Sequence, residues 1–171
     1  MEHNYHIDYE NVLLRPLGKD DIENLRVWRN DPRNTIYLRK IPYITVDMQM
    51  DWYNCYLKNK DELGFAIIEK NVLNRMVGSL SLHEFNGDTC FLGKILIGDV
   101  EAHGKKVGLN ATKAALKIAF EKLRIKTVKL HVYSDNFVAL NVYKKAGFLV
   151  VEEYKIGDGK IELTMIKERE V

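Results

Sequence analysis

Two cysteines, three prolines and no apolar run approaching 18 residues set the first limits on this 171-residue chain. Cys55 and Cys90 form no Cys-x-x-Cys pair, so neither a disulfide framework nor a metal site is expected. Two buried thiols in a reducing cytosol are expected instead. No segment is long and apolar enough to predict a membrane-spanning helix. The opening Met-Glu-His-Asn-Tyr-His has neither the basic nor the apolar region of a secretory leader. A soluble cytoplasmic protein is therefore expected. An excess of one charge is missing too, since 26 Lys and Arg nearly offset 24 Asp and Glu. No strong global field draws in nucleic acid or an anionic membrane. Internal repeats and low-complexity stretches are also absent.

What is present is an ordinary globular composition, 46% apolar, at a length that suits one well-buried domain over residues 1–171. Residues 12–17 read as a first strand with Pro16 at its edge or end. Residues 19–30 read as a helix, with Asp20 and Glu23 spaced as a capping box and Ile22, Leu25 and Trp28 as its apolar stripe. Asp31-Pro32 should stop it. Thr45 should cap a second helix that buries Met48, Trp52, Cys55 and Tyr56. Three strands follow at 64–70, 76–85 and 89–97, joined by hairpin-length turns. A helix over 109–123 should bury Leu109, Leu116, Phe120 and Leu123 and turn Lys113, Lys117 and Glu121 to water. A strand at 128–133, a helix at 137–146 ended by Gly147, and strands at 149–156 and 160–166 complete the order. An antiparallel meander feeding a strand–helix–strand unit predicts an α/β protein with a mixed, mostly antiparallel sheet flanked by helices on both faces.

Two stretches carry chemistry. The loop His103-Gly-Lys-Lys-Val-Gly108 lies between a strand and a helix start, where free backbone N–H groups and the helix dipole favour an anion, usually phosphate. Gly104 and Gly108 keep side chains out of the way, and Lys105 and Lys106 add positive charge. The spacing is neither a P-loop nor a dinucleotide fingerprint, which disfavours ATP and NAD. Further on, Asn136 can cap a helix, and Ala139 and Tyr143 share its face three and seven residues later. A small residue beside a phenol leaves room for a ligand chain and supplies one proton.

The pattern Asn136-x-x-Ala139-x-x-x-Tyr143-x-x-x-Gly147-Phe148, with the loop 103–108, resembles the GNAT acetyltransferase superfamily over nearly the whole chain. The opening Leu14-Arg-Pro-Leu17, with Trp28-Arg29-Asn30 and Ile97-Gly-Asp99, is similar to its RimJ/RimL-like branch. His103 and Lys106 depart from the family's loop, which carries Arg or Gln and then Gly at those positions. The resemblance implies a GNAT-type fold and an acyltransferase using acetyl-CoA as acetyl donor, with no metal. It implies that Leu96 and Ile97 pair with the pantetheine amides and that the amides of His103, Gly104, Lys105, Lys106, Val107, Gly108 and Leu109 hold the pyrophosphate. Asn136 or Asn141 would hold the amide arm, and Tyr143 would protonate the leaving thiolate. Glu84 is the first candidate for a base, beside His83; Asp99 and Glu101 are further candidates that could instead shape the loop.

The acceptor is expected to be a small-molecule amine. Trp28, Arg29 and Asn30, with Arg33, Tyr37 and Arg39, combine an aromatic surface with positive charge. That mixture suits an anionic acceptor such as a nucleotide-linked amino sugar. Ribosomal-protein N-termini, antibiotics and polyamines stay open, as do a homodimer and a noncatalytic acyl-CoA-binding domain.

Overall fold

The structure, a computed structural model, describes residues 2–38 and 42–170. Eight strands among them form one sheet: β1 (Ile7–Tyr9), β2 (Val12–Pro16), β3 (Glu62–Glu69), β4 (Arg75–Asn86), β5 (Thr89–Ile97), β6 (Thr127–Tyr133), β7 (Leu149–Lys155) and β8 (Ile161–Glu168). Their spatial order is β1-β2-β3-β4-β5-β6-β8-β7. Every neighbouring pair is antiparallel except β5 and β6, which run parallel. The helices are α1 (Ile22–Asn30), α2 (Val46–Lys58), α3 (Val107–Lys117, continued by a π-helical turn Ile118–Lys122) and α4 (Phe137–Lys145).

The two faces of the sheet are covered differently. Leu63, Phe65, Ile67, Val77, Leu82 and Leu130 pack with Ala111, Ala115, Ala119 and Leu140 in the main core. The alanines let α3 lie close to the sheet, because a short side chain fills the gap between layers. On the opposite face Ala66 and Met76 meet Leu17 and Leu25, so α1 and α2 cover only the β2–β4 side. The same face over β5 and β6 is left to Phe91, Lys129 and His131.

Several local expectations hold for their stated reasons. The hydroxyl of Thr45 accepts from Met48 N, α1 stops at Asp31, and Gly147 ends α4 with φ +92°. Others are corrected. The capping-box carboxylate belongs to Asp21, in the 3-10 turn Lys19–Asp21 that leads into α1; it accepts from Gly18 N at 2.8 Å and from both terminal nitrogens of Arg15 at 2.6 and 2.7 Å. Glu23 pairs with Arg26 instead. On α2 the buried residues are Gln49, Tyr53 and Tyr56; Met48 and Cys55 are exposed. The helix is turned about one residue from its apolar stripe because Tyr56 must lie over Gly64, to whose N–H its hydroxyl is bonded. On α3, Leu116 is buried, whereas Leu109, Phe120 and Leu123 are half-buried at the margin of the core. The helix also begins two residues before Leu109. Strand β1 carried too few residues to be foreseen.

Candidate functional site

Strands β5 and β6 pair through only three residues, Thr89, Cys90 and Phe91 against Thr127, Val128 and Lys129. Beyond them each strand follows its other neighbour. On β5 an extra residue is inserted opposite Ser79–Ser81, where Lys94 takes φ +53°. A bulge of this kind bends the strand and increases its twist, so β5 swings away from β6. The result is a wedge between adjacent strands, closed at Phe91 and open toward Ile97 and Tyr133. Its unpaired edges offer backbone groups to an extended ligand.

Of the two residues expected to use that edge, Ile97 is better aimed. Gly98 N donates to Val77 O at 3.0 Å, and the carbonyl of Leu96 lies over Gly78, so Leu96 addresses β4. Alternation turns the peptide groups of Ile97 toward the wedge. His103 Nε2 reaches the Ile97 carbonyl at 3.1 Å.

The loop beyond β5 is braced from outside. Arg75 binds Asp99 at 2.8 Å and Glu101 at 2.7 Å, and Asp99 also accepts from Glu101 N. Burial pushes the Asp99 carboxyl up, but these partners together hold it below its ordinary range. Asp99 and Glu101 therefore shape the loop. Asn11 holds the Lys105 carbonyl and the Asn110 side chain. Gly104 has φ +77°, a glycine conformation. Lys106 adopts φ +59° as the residue before α3, a left-handed geometry that costs a lysine about 1 kcal/mol. The first α3 hydrogen bond runs from Asn110 N to Lys106 O, leaving the amides of Val107, Gly108 and Leu109 at the open helix end.

Gly108 is informative because nothing among the described residues demands it. A Cβ there would meet only Ile97 Cγ1, at 3.8 Å, and its φ is ordinary. The glycine leaves space in front of the amides. Together with Lys105 and Lys106, both exposed, this cradle fits a pyrophosphate.

The helix motif splits. Asn136 Oδ1 accepts from Ala139 N at 3.1 Å, so its oxygen serves the cap and its NH2 faces no partner among the described residues. Asn141 is exposed and ~200° around the helix from Tyr143. Tyr143 packs edge-on to Phe148, at 6.0 Å between ring centroids, against the main core. Its hydroxyl has no hydrogen bond among the described residues, and burial pushes its pKa up to about 12.

On the other face, Trp28 lies against Gly98, where a Cβ would strike the indole. Both ends of the Asn30 amide bind the Ile44 backbone, at 2.9 and 2.8 Å, which makes it a clamp on the segment entering α2. Arg33 is exposed and tied to Asp31. Tyr37 donates to Asp135 O and Asn34 to Gly98 O, so the turn after α1 bridges the ends of both wedge strands. Arg39 lies outside the described residues.

Arg29 stands apart. It lines a cavity of about 260 Å³ with Leu25, Ile44, Met48, Gln49 and Trp52. Its buried Nε has no partner, it makes no ion pair among the described residues, and burial lowers its pKa. Gln49, 5% exposed, supplies the second polar group there and was not foreseen. Its placement inside an apolar helix face was the available signal.

Glu84 is exposed, with φ +52°, and its carboxylate meets His83 Nδ1 at 3.1 Å. It lines a surface depression with Asp61, Phe91 and Lys129.

Residues 11–149 match the acetyltransferase (GNAT) domain family. Acetyltransferase PseH of Campylobacter jejuni is 24% identical over 139 residues, 81% of this chain and 83% of that one. Spermidine N(1)-acetyltransferase of Escherichia coli is 27% identical over 142 residues, 83% and 75% of the two chains. The crystal structure of the Vibrio cholerae spermidine N-acetyltransferase with CoA and spermine superposes with a TM-score of 0.80. It is 21% identical and covers 92% of this chain and 95% of that one.

Proposed function

For a chain that belongs to the GNAT acetyltransferase family, we propose the transfer of an acetyl group from acetyl-CoA to the primary amine of an anionic small molecule. A nucleotide-linked amino sugar is the class that fits best. The chain is an N-acetyltransferase; the acceptor class is the new element, and Arg29 carries it. A guanidinium held in an apolar cavity without a counter-charge is costly. An acceptor phosphate or carboxylate would remove that cost and hold the amine on the α1–α2 side of the sheet. Among the described residues, no acidic side chain lines the cavity to attract a polyamine.

In this reading the pyrophosphate of the donor rests on the amides of Gly104 and of residues 106–109, because those of His103 and Lys105 already donate to the carbonyls of Val100 and Ala102, and the pantetheine arm pairs along Ile97 in the wedge. Trp28 closes the end of that slot over Gly98. The amine attacks the acetyl carbonyl, forming the C–N bond as the C–S bond breaks, and Tyr143 returns a proton to the sulfur. We keep residues 1–171 as one domain, placed in the cytoplasm in line with the free thiols of Cys55 and Cys90. The RimJ/RimL-like branch rests on Leu14-Arg-Pro-Leu17 and Trp28-Arg29-Asn30.

Arg29→Ala is expected to raise KM for a nucleotide-linked amino sugar ten- to a hundred-fold and leave acetyl-CoA binding unchanged. A charge-assisted bond is worth about 1.5–3 kcal/mol. The loss should shrink as salt rises, and Arg29→Lys should restore only part of it. Steady-state kinetics against an amino sugar, spermidine and an N-terminal peptide decide the matter. If spermidine or the peptide alone is acetylated and the variant behaves as wild type, the anionic acceptor is wrong.

We also place a second copy of the chain against β7. All seven residues of this edge strand are exposed, Leu149 and Val151 among them. An apolar edge with free backbone groups is a template for pairing. Size-exclusion chromatography with light scattering should give a dimer for the wild-type chain and a monomer for Val151→Lys. A wild-type monomer at high concentration would remove this assignment.

A further inference from the structure

Resting on the acetyl-transfer reading above, we propose that His83 is the general base of the reaction and that Glu84 is its positioning residue. Leu82 belongs to the main core, so alternation along β4 turns His83 to the opposite face, the one that α1 and α2 partly cover. The ring is 18% exposed and stacks on Phe91 of β5, with centroids 6.1 Å apart and planes inclined by 20°. Phe91 is the last β5 residue paired with β6. The imidazole therefore stands at the fork of the wedge, where a ligand chain entering between the strands must stop.

The proton arrangement follows from the partners. A carboxylate only accepts hydrogen bonds, so the contact with Glu84 at 3.1 Å places the imidazole proton on Nδ1. In the neutral ring Nε2 then carries the lone pair. It points over β5, 2.5 Å from where a Cβ on Gly93 would stand. Gly93 thus gives the ring its room, two residues past the last β5–β6 pair. The positive φ of Glu84 explains how two adjacent residues come to cooperate. In a regular strand they would face opposite sides, whereas the left-handed turn brings the carboxylate back to its neighbour's ring. A carboxylate holding one imidazole nitrogen so that the other can take a proton is a recurring catalytic arrangement.

The two sides of the sheet then divide the work. His83 Nε2 takes the proton from the attacking amine on the α1–α2 face of the sheet; the Arg29 cavity lies among α1, α2 and the segment entering α2. Tyr143 gives a proton to the departing thiolate on the α3–α4 face. One proton leaves nitrogen and one reaches sulfur, with no further reactant needed. The other charged and titratable groups near the imidazole are Glu62 and Asp61 of β3 and its approach, Lys94 of β5, and Lys129 and His131 of β6. Glu62 is bound by Lys94 at 2.5 Å, and His131 stacks on the far side of Phe91.

The test measures thiol release from acetyl-CoA with the best amine of the panel, across pH, for His83→Ala, His83→Gln and Glu84→Ala. Both His83 variants should lose two to four orders of magnitude in kcat/KM and the acidic limb of the profile. His83→Gln keeps a polar side chain beside Glu84, so it separates lost chemistry from lost packing. Added imidazole should restore part of the His83→Ala rate, which a merely structural histidine would not allow. Glu84→Ala should lower kcat about tenfold with both KM values unchanged. Wild-type turnover in either His83 variant, with the acidic limb intact, overturns the base assignment alone. Absence of transfer by the wild-type chain to every amine overturns it together with the acetyl-transfer reading.

Discussion

Tyr143→Phe is expected to lower kcat by one to three orders of magnitude while changing acetyl-CoA affinity little. General acid catalysis contributes on the order of 10²–10⁴-fold, and the substitution removes only the proton. The structure makes the experiment clean. The hydroxyl has no partner among the described residues, and the ring keeps its edge contact with Phe148, so the substitution should cost the fold almost nothing. A phenol pushed up to about 12 stays protonated through the physiological range. It would be a weak acid toward a solvated thiolate, and a better matched one toward a thiolate that is itself desolvated. Cys90, buried in the same core, has its thiol pushed up to about 12 by burial alone. A thiolate released into a comparably dry site would be raised in the same direction, which narrows the gap in proton affinity between donor and acceptor. Unchanged kcat in the variant at saturating amine would reduce Tyr143 to packing.

Gly108→Asp should abolish stabilisation by acetyl-CoA without destabilising the free protein. For the wild-type chain, ligand at a hundred times Kd adds about 2.7 kcal/mol, roughly 5–10 °C in Tm for a domain of this size. The variant places bulk and negative charge in front of the amides proposed to hold the pyrophosphate. Its own stability should hold or rise, since the new Cβ meets only Ile97 and an aspartate in the first helical turn suits the dipole. That opposition distinguishes a ligand cradle from a structural turn. Thermal melts with and without acetyl-CoA read both quantities at once. An undiminished ligand shift in the variant would move the phosphate site elsewhere, and a lower Tm without ligand would make Gly108 structural.

The two motif stretches were legible because their demands are local. Thr45 and Asn136 cap because a short polar side chain reaches an amide three residues on, and Gly104 and Gly147 take positive φ within a single turn. The strands of the meander and the stop at Pro32 follow from the same short-range rules. The site was less legible wherever two distant segments meet. Asn30 looked like a ligand contact until Ile44, fourteen residues away, took both ends of its amide. Leu96 and Ile97 were equivalent as letters, and only the register with β4 separates them. Gln49 and Tyr53 were hidden because helix rotation depends on what lies beneath.

The sequence by itself determined the order of elements from β2 onward, and it marked the loop proposed to hold a pyrophosphate and the tyrosine proposed to give a proton. Each of these is set by spacing along one strand, turn or helix, where neighbours in the chain are neighbours in space. The tertiary structure decided the wedge, since β5 parts from β6 through a one-residue bulge whose position depends on pairing with β4. It also decided that Arg29 is desolvated and unpaired among the described residues, and that Glu84 turns back onto His83. Burial and pairing are properties of surfaces brought together from across the chain, and no local pattern encodes which surfaces those will be.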